Sequence, residues 1–198
     1  MLKENKHIFY DIYKMEGRRV VLSFDVGVVN LAYCLLDEDY NILLWNIVNV
    51  NASTYDKQCD KLIDELDKID YGQFSPRELT VVIERQPCKN PKMRIVSGQI
   101  QMYFCLKKKN DPISKVVFYS PKFKLKCYQP LEGDPPIVQK KLKSEYAQRK
   151  NLAIQHCSIM IRRNQPQEII DFFDKPRQKK DDLSDTYLQA VSYLSGFK

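Results

Sequence analysis

Val20-Val21-Leu22-Ser23-Phe24-Asp25-Val26-Gly27-Val28-Val29-Asn30 is the stretch on which the reading of the chain turns. Its first five residues are β-rich and predict a short buried strand. Asp25 follows that run directly and Gly27 breaks it. Working outward, Leu31 to Leu36 reads as a second strand, Asp37-Glu38-Asp39 as a turn, and Ile42 to Val50 as a third strand. Three adjacent strands with tight turns predict an antiparallel meander. Ser53 to Asp70 then predicts a helix, because Cys59, Leu62, Ile63, Leu66 and Ile69 recur at helical spacing behind a capping Ser53. Leu79 to Ile83 reads as a fourth strand ending at Glu84. Pro87 and Pro91 punctuate a loop, and Lys92 to Lys108 forms a helix with Met93, Val96, Ile100 and Tyr103 on one face. Lys115 to Tyr119 is a fifth strand. Pro121 to Lys141, with Gly133 and the further prolines Pro130, Pro135 and Pro136, reads as a basic irregular loop. Leu142 to Arg163 is a long helix, a shorter one follows Pro166, and Asp182 to Leu194 is the last, with Leu183, Tyr187, Ala190, Val191 and Leu194 as its core stripe. This order predicts an α/β fold: a mixed five-stranded sheet, three antiparallel strands and then alternating helices and strands, flanked by helices.

The chain has 198 residues, 43% of them hydrophobic, enough for one sizeable core. We read residues 18–198 as a single domain and residues 1–17 as an N-terminal extension. That extension mixes Lys3, Glu4, Lys6, Asp11 and Glu16 with Phe9 and Tyr10, so no secretory leader is expected. No apolar run is long enough to span a membrane. The six cysteines include no C-x-x-C pair, and His7 and His156 are the only imidazoles, which argues against zinc and for free thiols in a reducing, intracellular setting. The net charge of +7 is segregated along the chain. Residues 37–70 carry nine acids and three lysines, whereas residues 87–126 carry ten Lys and Arg against Asp111 alone. Such a distribution suits a polyanionic partner.

Four acids fall at the ends of predicted elements. Asp25 follows the first strand, Glu84 follows the fourth, and Asp182 and Asp185 open the last helix three residues apart, on one face. Each has a plain alternative. Asp25 can begin a turn, Glu84 can pair with Arg85, and Asp181, Asp182 and Asp185 can cap a helix. Taken jointly they suit another chemistry. Carboxylates from several elements converging on one point can hold hard divalent cations. Two such ions about 4 Å apart activate a water and stabilise the leaving oxygen of a phosphodiester.

The motifs that carry these acids resemble those of the poxvirus-type Holliday junction resolvases. Ser23-Phe24-Asp25-Val26-Gly27-Val28-Val29-Asn30 is similar to the family's opening Asp-x-Gly-x-x-Asn strand. Val82-Ile83-Glu84-Arg85-Gln86-Pro87 is similar to its Glu-Arg/Lys-Gln motif. Lys180-Asp181-Asp182-Leu183-Ser184-Asp185 is similar to its C-terminal motif with the last two acids. The resemblance spans residues 23–185. It implies an RNase H-like, RuvC-type fold and a structure-specific endonuclease that nicks four-way DNA junctions symmetrically as a homodimer. It also implies Asp25, Glu84, Asp182 and Asp185 as metal-binding catalytic acids, two Mg²⁺ ions that Mn²⁺ can replace, and a site of action where viral DNA replicates. The N-terminal extension and the length of the Pro121–Lys143 segment depart from the family pattern and suggest a divergent member.

The resemblance also points to Tyr146-Ala147-Gln148-Arg149-Lys150. Independently, Tyr146, Lys150, Ala153, Cys157 and Met160 share one stripe of the predicted helix, and a lysine within an apolar stripe is unusual. Lys150 can snorkel, or it can aim its ammonium at the scissile phosphate. Arg85, Lys89, Lys92, Lys107, Lys108, Lys109, Lys122, Lys124, Lys126 and Arg149 are candidate DNA contacts, with Tyr128 a candidate to stack on an unpaired base. Two rival readings stay open: a non-catalytic nucleic-acid-binding domain of the same fold, and a ribonuclease H acting on RNA–DNA hybrids. An ATP-using actin or sugar-kinase relative would need a second such domain with its own Asp-x-Gly phosphate loop, for which 198 residues leave too little room.

Overall fold

The computed structural model describes residues 17–138, 142, 144–176 and 178–197. The predicted N-terminal extension therefore lies, apart from Gly17, outside the described residues. Five strands form one sheet: β1 (Arg19–Val26), β2 (Asn30–Asp37), β3 (Ile42–Asn49), β4 (Glu78–Glu84) and β5 (Ile113–Tyr119). Their order is β3-β2-β1-β4-β5. β1–β2 and β2–β3 pair antiparallel, while β1–β4 and β4–β5 pair parallel. The predicted meander and mixed sheet are what the chain adopts. Five α-helices accompany it among the described residues: α1 (Tyr55–Asp67), α2 (Pro91–Lys107), α3 (Glu145–Asn164), α4 (Gln167–Asp174) and α5 (Lys180–Leu194). None is long and apolar enough to cross a membrane.

The alternation of side chains along a strand decides what faces what. In β1, Val20, Leu22, Phe24 and Val26 enter one core cluster, which α1 and α2 cover with Leu62, Leu66, Val96, Ile100 and Phe104. Val21 enters the other, built with α3, α4 and α5. By the same parity Ser23 and Asp25 point to the α5 side. In β4, Val82 belongs to the α5 side, so Glu84 points there too. Two acids from different strands thus reach the same face at the same end of the sheet. Gly27 makes the turn between β1 and β2 close enough to work. Its N–H donates to the Asn30 carbonyl at 2.9 Å, and a Cβ there would stand 2.5 Å from that oxygen.

α5 is buried almost all round, beyond the stripe read from the sequence. Ser184, Thr186, Gln189 and Ser192 are fully buried as well. Trp45 Nε1 on β3 donates to the Leu183 carbonyl and to Thr186 Oγ1, at 3.2 and 3.1 Å, fixing the first turns of α5 over the sheet. The helix stripes shift slightly elsewhere. Thr54 rather than Ser53 caps α1, Ile63 is exposed, and Phe104 rather than Tyr103 is the buried aromatic of α2. The largest departure is Pro121 to Cys127, expected as irregular loop. It is a 3₁₀ helix, with Ser120 capping Lys122 N–H and Pro121 in the first turn.

Candidate active site

Asp25 at the end of β1 and Glu84 at the end of β4 meet as a hydrogen-bonded carboxyl pair. Asp185, in the second turn of α5, closes the group from above, and Asp182 lies one turn nearer the helix start. Lys124, from the 3₁₀ helix, enters the middle. It is 4% exposed, and its Nζ stands 3.1 Å from Glu84 Oε2 and 3.4 Å from Asp185 Oδ2. This corrects the expectation of Lys124 as a surface DNA contact. With three residues per turn, a 3₁₀ helix puts residues i and i+3 on one side. Lys124 and Cys127 therefore line up towards α5, and Cys127 Sγ donates to the Leu188 carbonyl at 3.6 Å. Lys122 and Lys126 remain exposed on the outer side.

The charges are strongly coupled. Burial pushes the Asp25 carboxyl up to about 8; Lys124 opposes that rise, while the hydrogen bond and charge of Glu84 add to it. Burial also raises Asp182, to about 6, with the charges of Asp181 and Asp25 behind it. Asp185 is raised by burial against the pull of Lys124. Burial works against the charge on Lys124, but Asp25, Glu84 and Asp185 together outweigh it and hold the ammonium. Lys150 ion-pairs with Asp181, beside Asp182, and its Nζ lies 5.2 Å over the Tyr146 ring. Burial raises the Asp181 carboxyl, and the hydrogen bond and charge of Lys150 more than reverse that, leaving it below the usual range. Lys150 thus belongs to the rim of the acid group, joined through Asp181.

Among the described residues no three His, Cys, Asp or Glu side chains are already closed to metal-ligand spacing. The donor set nevertheless fits hard divalent cations. It consists of carboxylates only, drawn from three elements, and three of them are pushed upward, first by burial and then by the charge of neighbouring acids, a state that a bound cation would relieve. A linkage follows. Asp25 titrates near 4 when unfolded and at about 8 when folded, so between these values unfolding releases a proton. Metal-free protein should therefore lose stability as pH rises from about 5 to 8, and Asp25→Asn should flatten that loss. Thermal melting in a chelator across this range checks it; a flat wild-type profile would remove the buried acid.

Gln189 ties the three acid-bearing elements together. Fully buried on α5, it donates through Nε2 to Ser23 Oγ (2.9 Å) and the Phe24 carbonyl (3.0 Å) on β1, and at 3.4 Å to the Val82 carbonyl on β4. It escapes a hydrophobic-pattern reading because that pattern assigns a polar helix residue to solvent.

The remaining basic candidates divide by position. Arg85, Lys89 and Lys92 follow the end of β4, and Lys122 and Lys126 the end of β5; all are exposed at the acid end of the sheet. Arg149 is exposed next to Lys150. Lys107, Lys108 and Lys109 precede β5 and sit at its opposite end, on the order of 20 Å away by strand rise. Lys107 pairs with Asp67 at 3.3 Å, and Lys108 donates to the Ser114 carbonyl at 2.7 Å. Tyr128 is not free to stack on a base. It stacks on His156 with centroids 4.1 Å apart, under Arg163, and bonds Asp134.

Residues 19–196 match the family described as Poxvirus A22 protein. The chain belongs to that family. A relative, an uncharacterised protein (L451) of Acanthamoeba polyphaga mimivirus, is 35% identical over 139 residues, 67% of this chain and 33% of the relative. The chain thus spans about a third of that protein's length. Among solved structures, the yeast mitochondrial Holliday junction resolvase Ydc2 superposes with a TM-score of 0.60 at 15% identity, covering 92% of this chain and 82% of that one. RuvC of T. thermophilus, solved in complex with a Holliday junction substrate, gives 0.51 at 12% identity, covering 88% and 91%. At such identities these likenesses carry the fold, and this Poxvirus A22 family member has the RNase H-like fold of the RuvC and Ydc2 structures.

Proposed function

We propose that this Poxvirus A22 family member is a divalent-metal-dependent endonuclease that resolves four-way DNA junctions, cutting two strands symmetrically as a homodimer where viral DNA replicates. The observation that carries the proposal is the convergence of Asp25, Glu84 and Asp185 on the buried ammonium of Lys124, with Asp182 one helical turn away beside Asp181 and within the field of Asp25. Family membership and the fold shared with two resolvases support it. Asp25, Glu84, Asp182 and Asp185 would hold two Mg²⁺ ions, for which Mn²⁺ can substitute. When bound, such ions activate a water and stabilise the leaving oxygen of the phosphodiester. The chain's own residues do the rest. β1 and β4 fix two carboxylates at strand ends, α5 brings two more, and Gln189 locks the three elements together. Lys124 supplies positive charge between Glu84 and Asp185. Arg85, Lys89, Lys92, Lys122, Lys126 and Arg149 surround the acids with a basic rim for backbone phosphates.

The direct test is purified protein with Mg²⁺ on a four-way junction, beside duplex, flap and RNA–DNA hybrid. Paired, symmetric nicks in the junction alone are expected. Cutting of the hybrid instead would favour the ribonuclease H reading, and binding without cutting the non-catalytic one. Salt dependence gives a second check. Charge reversal at Lys122 and Lys126 together should weaken junction binding about tenfold and flatten the salt slope by about two units, one for each phosphate no longer neutralised. The same reversal at Lys108 and Lys109 should change binding little. Equal effects at both ends would dissolve the rim as drawn.

A further inference from the structure

Beyond the acids, the edge of the sheet opens into a cavity of about 400 Å³ at the C-terminal end of β5. This lies within the size range of small-ligand sites, roughly 300–1,000 Å³. Its walls are mainly aromatic: Tyr119, Phe123, Tyr193 and Phe197, with Arg85 at the rim. Tyr119 is locked in place. Its hydroxyl meets Ser192 Oγ and the Phe197 carbonyl, both at 2.8 Å, and its ring packs against Phe123 and edge-on against Tyr193, with centroids 5.5 and 5.7 Å away. Phe123, Tyr193 and Phe197 are only partly buried, so ring surface remains open to the cavity.

Its address matters as much as its lining. Tyr119 pairs in register with Glu84, and Arg85 N–H donates to the Tyr119 carbonyl at 2.8 Å. The strand that lines the cavity therefore lies next to the one that carries Glu84, one strand spacing (~5 Å) away between backbones. Arg85 lines it, and the Lys126 ammonium lies 5.2 Å over the ring of Phe123, one of its walls. No acid lines it. A flat, apolar-faced ligand carried on a polyanion fits this combination: rings for its face, cations for its backbone. A second copy of the chain would oppose the same cations to one another, which costs binding energy.

We propose that this cavity takes an unpaired nucleobase of bound DNA, swung out of the stack next to the strand whose phosphate reaches Glu84. The proposal rests on the nuclease reading for its substrate and adds a base-holding site to it. With its lining mainly rings, the site holds the base by stacking and tolerates different bases. The base leaves the helix where pairing is already interrupted, at the branch point.

The test is equilibrium binding in a chelator, so that no strand is cut. Four-way junctions carrying one abasic nucleotide at each position flanking the branch are compared with the intact junction, for wild type, Tyr193→Ala and Tyr193→Phe. At one position the wild type should lose about tenfold in affinity on removal of the base, the scale of one stacked base. Tyr193→Ala should bind intact and abasic junctions equally, at the weaker value, and Tyr193→Phe should match wild type. Equal loss by Tyr193→Ala on both DNAs, no loss on either, or a changed oligomeric mass in its place would overturn the proposal. The two readings separate on a bulged single strand carrying the same abasic change. Base-sensitive binding there without junction preference sinks the resolvase reading and keeps the cavity. Junction cleavage indifferent to every abasic position keeps the resolvase and sinks the cavity.

Discussion

Asp25→Asn, Glu84→Gln and Asp185→Asn should each depress junction cleavage by more than ~10³-fold while leaving junction affinity within about threefold. Losing one stabilising donor from an active site costs ~10²–10³-fold, and removing a ligand to the ions should exceed that. Each replacement keeps the shape of the side chain and removes a carboxylate that could hold a cation. Binding should survive because the basic rim, not the acids, meets the phosphates. The three variants should differ in stability. Asp25 already carries a raised carboxyl hydrogen-bonded to Glu84, and an amide at that position can donate the same bond without a proton to lose. Asp25→Asn should therefore raise the melting temperature in a chelator near neutral pH. Asp185→Asn takes a partner from the buried Lys124 and should not give that gain. Single-turnover cleavage, filter binding and melting of the three proteins make the comparison. A variant that cuts at near wild-type rate takes its residue out of the site.

The acids were legible in the sequence for a physical reason. An apolar strand that ends in a carboxylate exposes that carboxylate at the sheet edge, and strand parity then puts Asp25 and Glu84 on one face. The last helix was legible through Leu183, Tyr187, Ala190 and Val191, but only on one side. Ser184, Thr186, Gln189 and Ser192 look solvent-facing to a pattern reading because the pattern counts only apolar residues. They are buried because α5 lies between the sheet, α3 and the 3₁₀ helix. Ser184 and Thr186 donate back to carbonyls of α5, and Thr186 also accepts from Trp45. Gln189 donates to β1, and Ser192 donates to the Phe123 carbonyl of the 3₁₀ helix. Lys124 was misread for a related reason. Pro121 to Lys141 reads as a basic irregular loop, and in a loop Lys122, Lys124 and Lys126 count alike as surface residues. A 3₁₀ helix breaks that equivalence and buries the middle one. The signal was present in Ser120-Pro121, a cap followed by a first-turn proline, which announces a helix rather than a loop.

Lys124→Met should separate that buried lysine from Lys150. Methionine fills most of the lysine volume and removes the charge that sits between Glu84 and Asp185. Breaking a buried pair by deleting one partner costs about 3–5 kcal/mol, because the other charge is left uncompensated. In a chelator, Lys124→Met should therefore melt some 6–20 °C lower than wild type, at about 2–4 °C per kcal/mol for a chain of this size. Divalent cation should recover most of that loss, since the acids that lost an ammonium regain positive charge. Cleavage should still fall by ~10²-fold or more, as for other lost charge-stabilising groups. Lys150 is a third exposed and paired with Asp181 at the rim. An exposed pair is worth little to stability, so Lys150→Met should melt close to wild type. Its cleavage should fall by about tenfold, through release of Asp181 beside Asp182, the scale of losing an outer partner. If Lys150→Met instead costs as much cleavage as Lys124→Met with melting unchanged, its ammonium must reach the scissile phosphate once DNA is bound. If Lys124→Met melts like wild type in a chelator, the buried ammonium is not what holds Glu84 and Asp185 together.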